Sequence, residues 1–182
     1  MKIPYRLIRS ARKTVAIQVT PGGEVILRCP KRYPVREAEA FLESKRSWIE
    51  AHLAFLAAKP QLPPFTAEEV KDLARQAAQD IPERVARFAP MVGVAFGRIT
   101  IRSQRTRWGS CSAKGNLNFN CLLMLCPEAV RDYVVVHELC HRKELNHSPR
   151  FWAEVEQVCP DYARHRKWLK ENGGSLIARL PE

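Results

Sequence analysis

Val134-Val-Val-His-Glu-Leu-Cys-His-Arg-Lys-Glu-Leu-Asn-His147 is the stretch of this chain that decides both its fold and its chemistry. His137 and His141 are four positions apart, so a helix places both imidazoles on one face, where they can share one cation. Glu138 follows the first histidine directly and would sit beside a metal-bound water, whose proton it can take. Two histidines and a carboxylate on an otherwise apolar face are difficult to satisfy without a cation. The stretch therefore predicts a helix that carries a metal site and a general base.

A third ligand is expected just after this helix. His147 comes six residues after the second histidine, which matches the spacing HExxHxxxxxH, where a turn brings a third imidazole back to the metal. Asn146 is expected to make that turn. Glu154 and Glu156, on the next predicted helix, are the alternative third ligands. Three protein ligands leave a fourth position open for water, as in catalytic zinc sites, so we expect one zinc ion per chain.

The segments around this stretch alternate between strand and helix patterns. Residues 94–124 show strand alternation with a hairpin turn at Ala113–Gly115. The first 30 residues alternate in the same way, which predicts a small antiparallel β unit. Helical spacing predicts helices at about 35–57, 66–88 with an interruption near Pro82, 127–145, 149–158 and 161–171, the last ending at Gly173-Gly174. The predicted fold class is α+β.

A proline-rich segment, Lys59–Pro64, predicts a linker between two domains. We place an N-terminal β/helix lobe at residues 1–59 and a second domain at 60–182. The first lobe holds 12 Lys/Arg and 5 Asp/Glu, a net charge of +7, whereas the second holds 18 and 14, a net charge of +4. This excess favours a polyanion or nucleic acid as a partner of the N-terminal lobe.

Composition excludes several other classes of protein. The chain has 182 residues, 46% of them hydrophobic, which is typical of a folded protein and not of a disordered or collagen-like one. No run of 18 apolar residues predicts a membrane span, so we expect no membrane partner. The basic N-terminus lacks an apolar segment and a small-residue cleavage site, so a cytoplasmic protein is expected. Six cysteines without a CxxC pair do not indicate a cysteine-rich zinc ribbon.

The hairpin offers candidate substrate contacts. An edge strand beside the metal-binding helix can pair with an extended peptide, and Asn118 and Asn120 could supply amide contacts to it. Arg105 and Arg107 could bind an acidic or phosphate-bearing substrate. The equally open alternative is that these side chains form the solvated face of a strand. Candidate donors to a developing oxyanion are the side chains of Tyr133, Tyr162 and His165.

Several motifs together resemble the YgjP-like family of metal-dependent hydrolases. They are Lys45-Arg-Ser-Trp-Ile-Glu-Ala-His-Leu53, Arg107-Trp-Gly-Ser-Cys-Ser, Gly115-Asn-Leu-Asn-Phe-Asn120, Asp132-Tyr-Val-Val-Val-His-Glu-Leu-Cys-His and Asn146-His-Ser-Pro-Arg-Phe-Trp152. The resemblance implies a minimal zincin core in residues 60–182, with an antiparallel sheet, an active-site helix and further packing helices. It also implies that His137, His141 and His147 bind the metal and that Glu138 is the general base.

Three functions follow from these observations. The first is a zinc metallopeptidase, in which a zinc-bound water activated by Glu138 attacks a polypeptide. The second is a metal-dependent nucleoside triphosphate pyrophosphohydrolase, although no glycine-rich phosphate loop is present. The third is a nucleic-acid-binding module with a structural zinc, a site that would not need Glu138.

Overall fold

The protein is described by a computed structural model, which gives the placement of residues 3–20, 22–58 and 62–181. Six α-helices and two three-stranded sheets lie in these ranges, which confirms the α+β fold class. None of the helices in the described ranges has both the length and the apolar composition needed to cross a bilayer.

The chain divides into two compact units, Met1–Leu62 and Pro63–Glu182. The division falls within the proline-rich segment that the sequence indicates as a linker. Residues 59–61 of that segment lie outside the described ranges. The two units are described separately below.

The N-terminal unit has a mixed sheet rather than the antiparallel one expected. Its strands are β1 (Arg6–Ser10), β2 (Ala16–Val19) and β3 (Val25–Pro30), in the order β1-β3-β2. β2 is antiparallel to β3, but β1 is parallel to it. The alternation of apolar residues is the same in either direction, so it could not predict this pairing.

Two helices cover this sheet where the sequence predicts one. They are α1 (Val35–Ser44) and α2 (Arg46–Ala58), and the break is at Lys45, whose backbone leaves the helical region. Both helices contribute to one small core with β3, made of Val25, Leu27, Ala38, Leu42 and Ile49. The break lets two short helices pack their apolar residues on the same sheet.

The C-terminal unit begins with a long helix, α3 (Ala67–Val92). Thr66 and Glu69 form the capping box that the sequence predicts at its start. The expected interruption near Pro82 is wrong, because the helix runs through that residue. Its apolar face stays buried on both sides of the proline, at Leu73, Ala77, Ile81, Val85 and Ala89. This burial keeps the helix continuous despite the lost backbone hydrogen bond.

The second sheet carries the hairpin. Its strands are β4 (Ile99–Arg102), β5 (Gly109–Cys111) and β6 (Leu117–Asn120), in the order β4-β6-β5. β5 and β6 are antiparallel and turn through Gly115, which has a φ of 80°, so the predicted hairpin is confirmed. β4 is parallel to β6, so the sheet is mixed and not wholly antiparallel. β5 lies at the edge of the sheet.

Three further helices complete this unit: α4 (Glu128–Cys140), α5 (Pro149–Val158) and α6 (Tyr162–Ala178). α4 ends at Cys140 rather than near residue 145. α6 continues through Gly173 and Gly174, where its end was expected. Gly173 faces Trp108, since a Cβ atom there would lie 2.9 Å from the indole. This glycine therefore serves close packing and does not stop the helix.

Candidate metal centre

Three histidines converge at the end of α4. One ring nitrogen from each of His137, His141 and His147 lies within 4.8 Å of the other two. The Nε2 atoms of His137 and His147 are 3.0 Å apart. Among the residues that the structure describes, these histidines form the one group of three or more His, Cys, Asp or Glu side chains that could hold a metal ion.

The chain reverses direction between the second and third histidines without a left-handed residue. His141 caps α4, and successive turns follow in which the backbone N–H groups of Lys143 and Glu144 donate to the Cys140 carbonyl. No non-glycine residue in the described ranges has a positive φ, so the left-handed turn expected at Asn146 is wrong. The Glu144 carbonyl lies 3.0 Å from Nδ1 of His141. When Nδ1 carries the proton and donates this bond, Nε2 keeps its lone pair for a metal.

The electrostatics of the site favour neutral imidazoles. Burial, followed by the nearby His141 and His147, lowers the pKa of His137 to about 3. Burial also lowers the pKa of His147. A neutral imidazole is the form that binds a metal. Three such donors fit a divalent ion of intermediate softness, such as zinc, and leave a coordination position free.

Aromatic rings hold the three histidines in place. The ring of Phe151 lies 4.5–4.8 Å from all three imidazoles, measured between centroids. Trp152 stacks on His147 with a centroid distance of 5.6 Å, and Tyr162 stacks on the indole with a centroid distance of 5.2 Å. Phe151 and Trp152 lie in the first turn of α5, which Ser148 caps by accepting a hydrogen bond from the Phe151 N–H. The start of α5 therefore orients the third histidine.

Glu138 opens onto the same pocket as the histidines. This pocket has a volume of about 460 Å³. Its lining consists of Thr106, Arg107, Gly109, Ser110, Cys111, His137, Glu138, His141, Leu145 and His147. The side chain is almost fully buried, and burial raises its pKa to about 8, while Arg107 acts in the opposite direction. A buried carboxyl group with a raised pKa, facing a pocket, can hold and release a proton near neutral pH.

Gly109 makes room for this carboxyl group. A Cβ atom at that position would lie 2.6 Å from Oε1 of Glu138. β5 can therefore approach α4 closely only because residue 109 has no side chain. Gly109 lies inside the Arg107-Trp-Gly-Ser-Cys-Ser motif, which is the one signal in the sequence that could have predicted this role.

The structure separates the four predicted substrate contacts. Arg107 lines the pocket, but Arg105 does not, and its Nη2 donates to the Leu180 carbonyl at 2.6 Å. Asn120 is fully buried, and its Nδ2 donates to the carbonyls of Gln104 and Arg107. Full burial leaves Asn120 no surface for a substrate, so that expectation is not supported by the structure, whereas Arg105 is exposed and its role as a substrate contact stays a prediction. Asn118 donates to Ser110 Oγ and is also outside the pocket lining.

The predicted oxyanion donors also lie outside the pocket. The hydroxyl of Tyr133 is 3.5 Å from Nδ1 of His137, behind the metal-facing nitrogen. Tyr162 stacks on Trp152, and His165 lines a different pocket between α4 and α6. None of these three residues faces a substrate in the pocket of the histidines.

The alternative third ligands are directed elsewhere. Oε2 of Glu154 accepts a hydrogen bond from Lys143 Nζ at 2.7 Å. Glu156 is exposed on α5. Neither carboxylate belongs to the group that could hold a metal, whereas His147 does.

Comparison with known proteins identifies a family. Residues 13–73 and 65–172 match the YgjP-like family, described as a metallopeptidase domain. Similar solved structures include the metallopeptidase zymogen abylysin of Pyrococcus abyssi, at 23% identity and a TM-score of 0.45, which covers 50% of this chain and 93% of that one. Another is the metallopeptidase zymogen jannalysin of Methanocaldococcus jannaschii, at 22% identity and a TM-score of 0.42, with coverages of 50% and 96%. No curated protein matches the chain.

Proposed function

This chain belongs to the YgjP-like family of metallopeptidase domains, and from that premise we propose that it is a zinc peptidase whose ion is held by His137, His141 and His147. The family implies a divalent metal, and three imidazoles are donors that suit zinc. We propose one zinc ion per chain. When bound, the ion would lower the pKa of water and polarise a substrate carbonyl.

Glu138 is the proposed general base. Its carboxylate would accept a proton from the attacking water and deliver that proton to the leaving amine nitrogen. Burial raises its pKa to about 8, and a cation held by the neighbouring histidines would favour the charged form that accepts the proton. Gly109 allows the carboxyl group to stay in the wall of the pocket.

The edge strand β5 supports a polypeptide as the substrate. Gly109, Ser110 and Cys111 form this strand and also line the pocket. An extended peptide that pairs with the free edge of β5 would run past Glu138 and the histidines. The backbone of the strand would then position the scissile bond through main-chain hydrogen bonds.

One observation carries the proposal: a buried carboxyl group and three convergent histidines share one open pocket. A structural zinc site is closed by four protein ligands and does not require a buried carboxyl group beside them. The arrangement therefore favours catalysis over a purely structural metal.

The test combines metal content with cleavage of an unfolded protein. We expect one zinc per chain by plasma mass spectrometry, and its loss in His137→Ala and His147→Ala. The matched control is Glu154→Gln, which should keep the metal. Glu138→Gln should keep the metal and lose cleavage of reduced, unfolded casein. Metal-dependent release of pyrophosphate from nucleoside triphosphates, without any cleavage of casein, would contradict the proposal and favour the nucleotide hydrolase.

A further inference from the structure

Three arginines follow one another closely from the end of β4 to the start of β5, and two of them form hydrogen bonds through their side chains. Nε of Arg102 donates to Asn118 at 3.4 Å, and Arg105 donates to the Leu180 carbonyl. Arg107 is exposed, and no hydrogen bond or ion pair links its guanidinium to another residue in the described ranges. Its five N–H donors are therefore available to a ligand.

The backbone that carries Arg107 is nevertheless fixed. Its carbonyl accepts a hydrogen bond at 3.1 Å from the buried Asn120, and the carbonyl of Trp108 accepts one at 2.8 Å from the Asn120 N–H. The same Asn120 amide also holds the Gln104 carbonyl at 2.7 Å. The fixed backbone therefore determines where the guanidinium enters the pocket, while the side chain itself remains available to a ligand.

The two oppositely charged side chains of the pocket differ in their exposure. Arg107 is the one Lys or Arg side chain among the residues lining the pocket, and Glu138 is the one carboxyl group there. Because Glu138 is almost fully buried, an entering substrate meets the exposed guanidinium first. The net charge of the whole chain, +11, would attract the same class of substrate over a longer distance.

On the basis of the proposed peptidase function, we propose that Arg107 selects polypeptides with an acidic side chain close to the scissile bond. A guanidinium pairs with a carboxylate through two parallel hydrogen bonds, which gives both affinity and orientation. An oxyanion donor must be held rigidly where charge develops, so the exposed Arg107 side chain, which no hydrogen bond fixes in the described ranges, suits recognition of the substrate better than stabilisation of the transition state. Arg107 is thus a specificity-determining residue of the pocket.

The experiment measures binding separately from cleavage. Two fluorescein-labelled dodecapeptides of the same sequence carry either Glu or Gln at every third position. Their affinities for the zinc-loaded full chain with Glu138→Gln are measured by fluorescence anisotropy at low salt. The same measurement is made after adding Arg107→Gln, Arg107→Lys or Arg98→Gln. Arg98 is exposed outside the pocket lining, so its substitution removes the same charge and controls for the general attraction of a basic protein.

We expect the acidic peptide to bind about fivefold more tightly than the neutral one, a preference of the size expected for an exposed ion pair. Arg107→Gln should abolish the preference, Arg107→Lys should restore part of it, and Arg98→Gln should leave it unchanged. Equal effects of Arg107→Gln and Arg98→Gln would overturn the inference, because the preference would then belong to net charge. Binding of tripolyphosphate that depends on Arg107, without binding of either peptide, would also overturn the inference.

Cleavage distinguishes this inference from the function on which it rests. A fall in kcat/KM on Arg107→Gln that is larger for the acidic peptide than for the neutral one, so that the preference disappears, supports the inference. Cleavage of both peptides that depends on Glu138 but shows no effect of Arg107 overturns the inference and leaves the peptidase intact. Binding that depends on Arg107, without any cleavage, keeps the acidic-peptide site and overturns the peptidase.

Discussion

Nε2 of His147 lies 3.0 Å from Nε2 of His137, although His137 is on α4 and His147 follows the turn after that helix. Two neutral imidazoles whose Nε2 atoms lie this close require either a hydrogen bond from one nitrogen to the other or a cation between them. The indole of Trp152, stacked on His147, keeps this pair together. Metal affinity should therefore depend on a residue that does not itself bind metal.

We expect Trp152→Ala to weaken zinc binding by roughly tenfold, since second-layer contacts orient metal ligands. The measurement is a competition titration with a chromophoric chelator. Trp48→Ala is the control, because Trp48 stacks on His52 in the N-terminal unit and is half exposed. Equal affinities of Trp152→Ala and the unmodified protein would show that the stack does not position His147.

The contact between Gly109 and Glu138 gives a second prediction. In Gly109→Ala, the new methyl group would push the carboxyl group out of place, so kcat should fall roughly 10- to 100-fold while zinc content stays the same. Peptide cleavage and metal analysis of the same preparation provide the measurement. Gly174→Ala is the matched control, because a Cβ atom there meets nothing within 4 Å. Full activity in Gly109→Ala would mean that Glu138 is not the general base.

A buried ion-pair network joins α3 to α4. Arg84 is 9% exposed and bonds Asp80 through two nitrogens as well as Asp132. We expect Arg84→Ala to lower the free energy of unfolding by about 2 kcal/mol, because it removes the buried cation that Asp80 and Asp132 share and leaves them only their second partners, Arg131 and Arg87. Urea unfolding followed by circular dichroism measures the change. Arg75→Ala, which removes an exposed pair with Asp72, should cost less than about 0.5 kcal/mol.

The same network should make stability depend on pH. The hydrogen bond from Arg84 lowers the pKa of Asp80 below its ordinary value of 3.8. A lowered folded-state pKa stabilises the protein above the unfolded-state pKa, and this contribution is lost as pH falls through the folded-state value. Unfolding free energies at pH 7, 4 and 2 should therefore converge between the unmodified protein and Asp80→Asn at the lowest pH, because only there is the folded-state carboxyl group titrated below 3.8. A constant difference across the three pH values would exclude this role of Asp80.

Local patterns in the sequence predicted much of the site. The spacing of His137, His141 and His147 is a property of one continuous segment, so it indicated the three residues that the structure brings together. The hairpin through Gly115 was predicted for the same reason. Helix α4 nevertheless ends at Cys140, because the chain must turn at once to bring His147 back.

Long-range partners could not be predicted in this way. Arg105 and Arg107 look alike in the sequence, and only the fold shows that Arg105 is bound to the Leu180 carbonyl and that Arg107 is not. The sequence placed Asn120 on the polar face of a strand. In the structure its side-chain amide donates to the carbonyls of Gln104 and Arg107 and fixes that loop. The direction of strand pairing also could not be predicted. The apolar residues of β1 and of β4 alternate in the same way whether the strand is parallel or antiparallel to its neighbour.

The close approach of Gly173 to Trp108 gives the C-terminal helix an influence on the pocket. Trp108 stands between Arg107 and Gly109 in the chain, and both of these neighbours line the pocket. A side chain at position 173 would displace the indole and, with it, both of its neighbours in the chain. The shape of the pocket wall therefore depends on the small size of one residue on a helix that contributes no residue to the pocket lining.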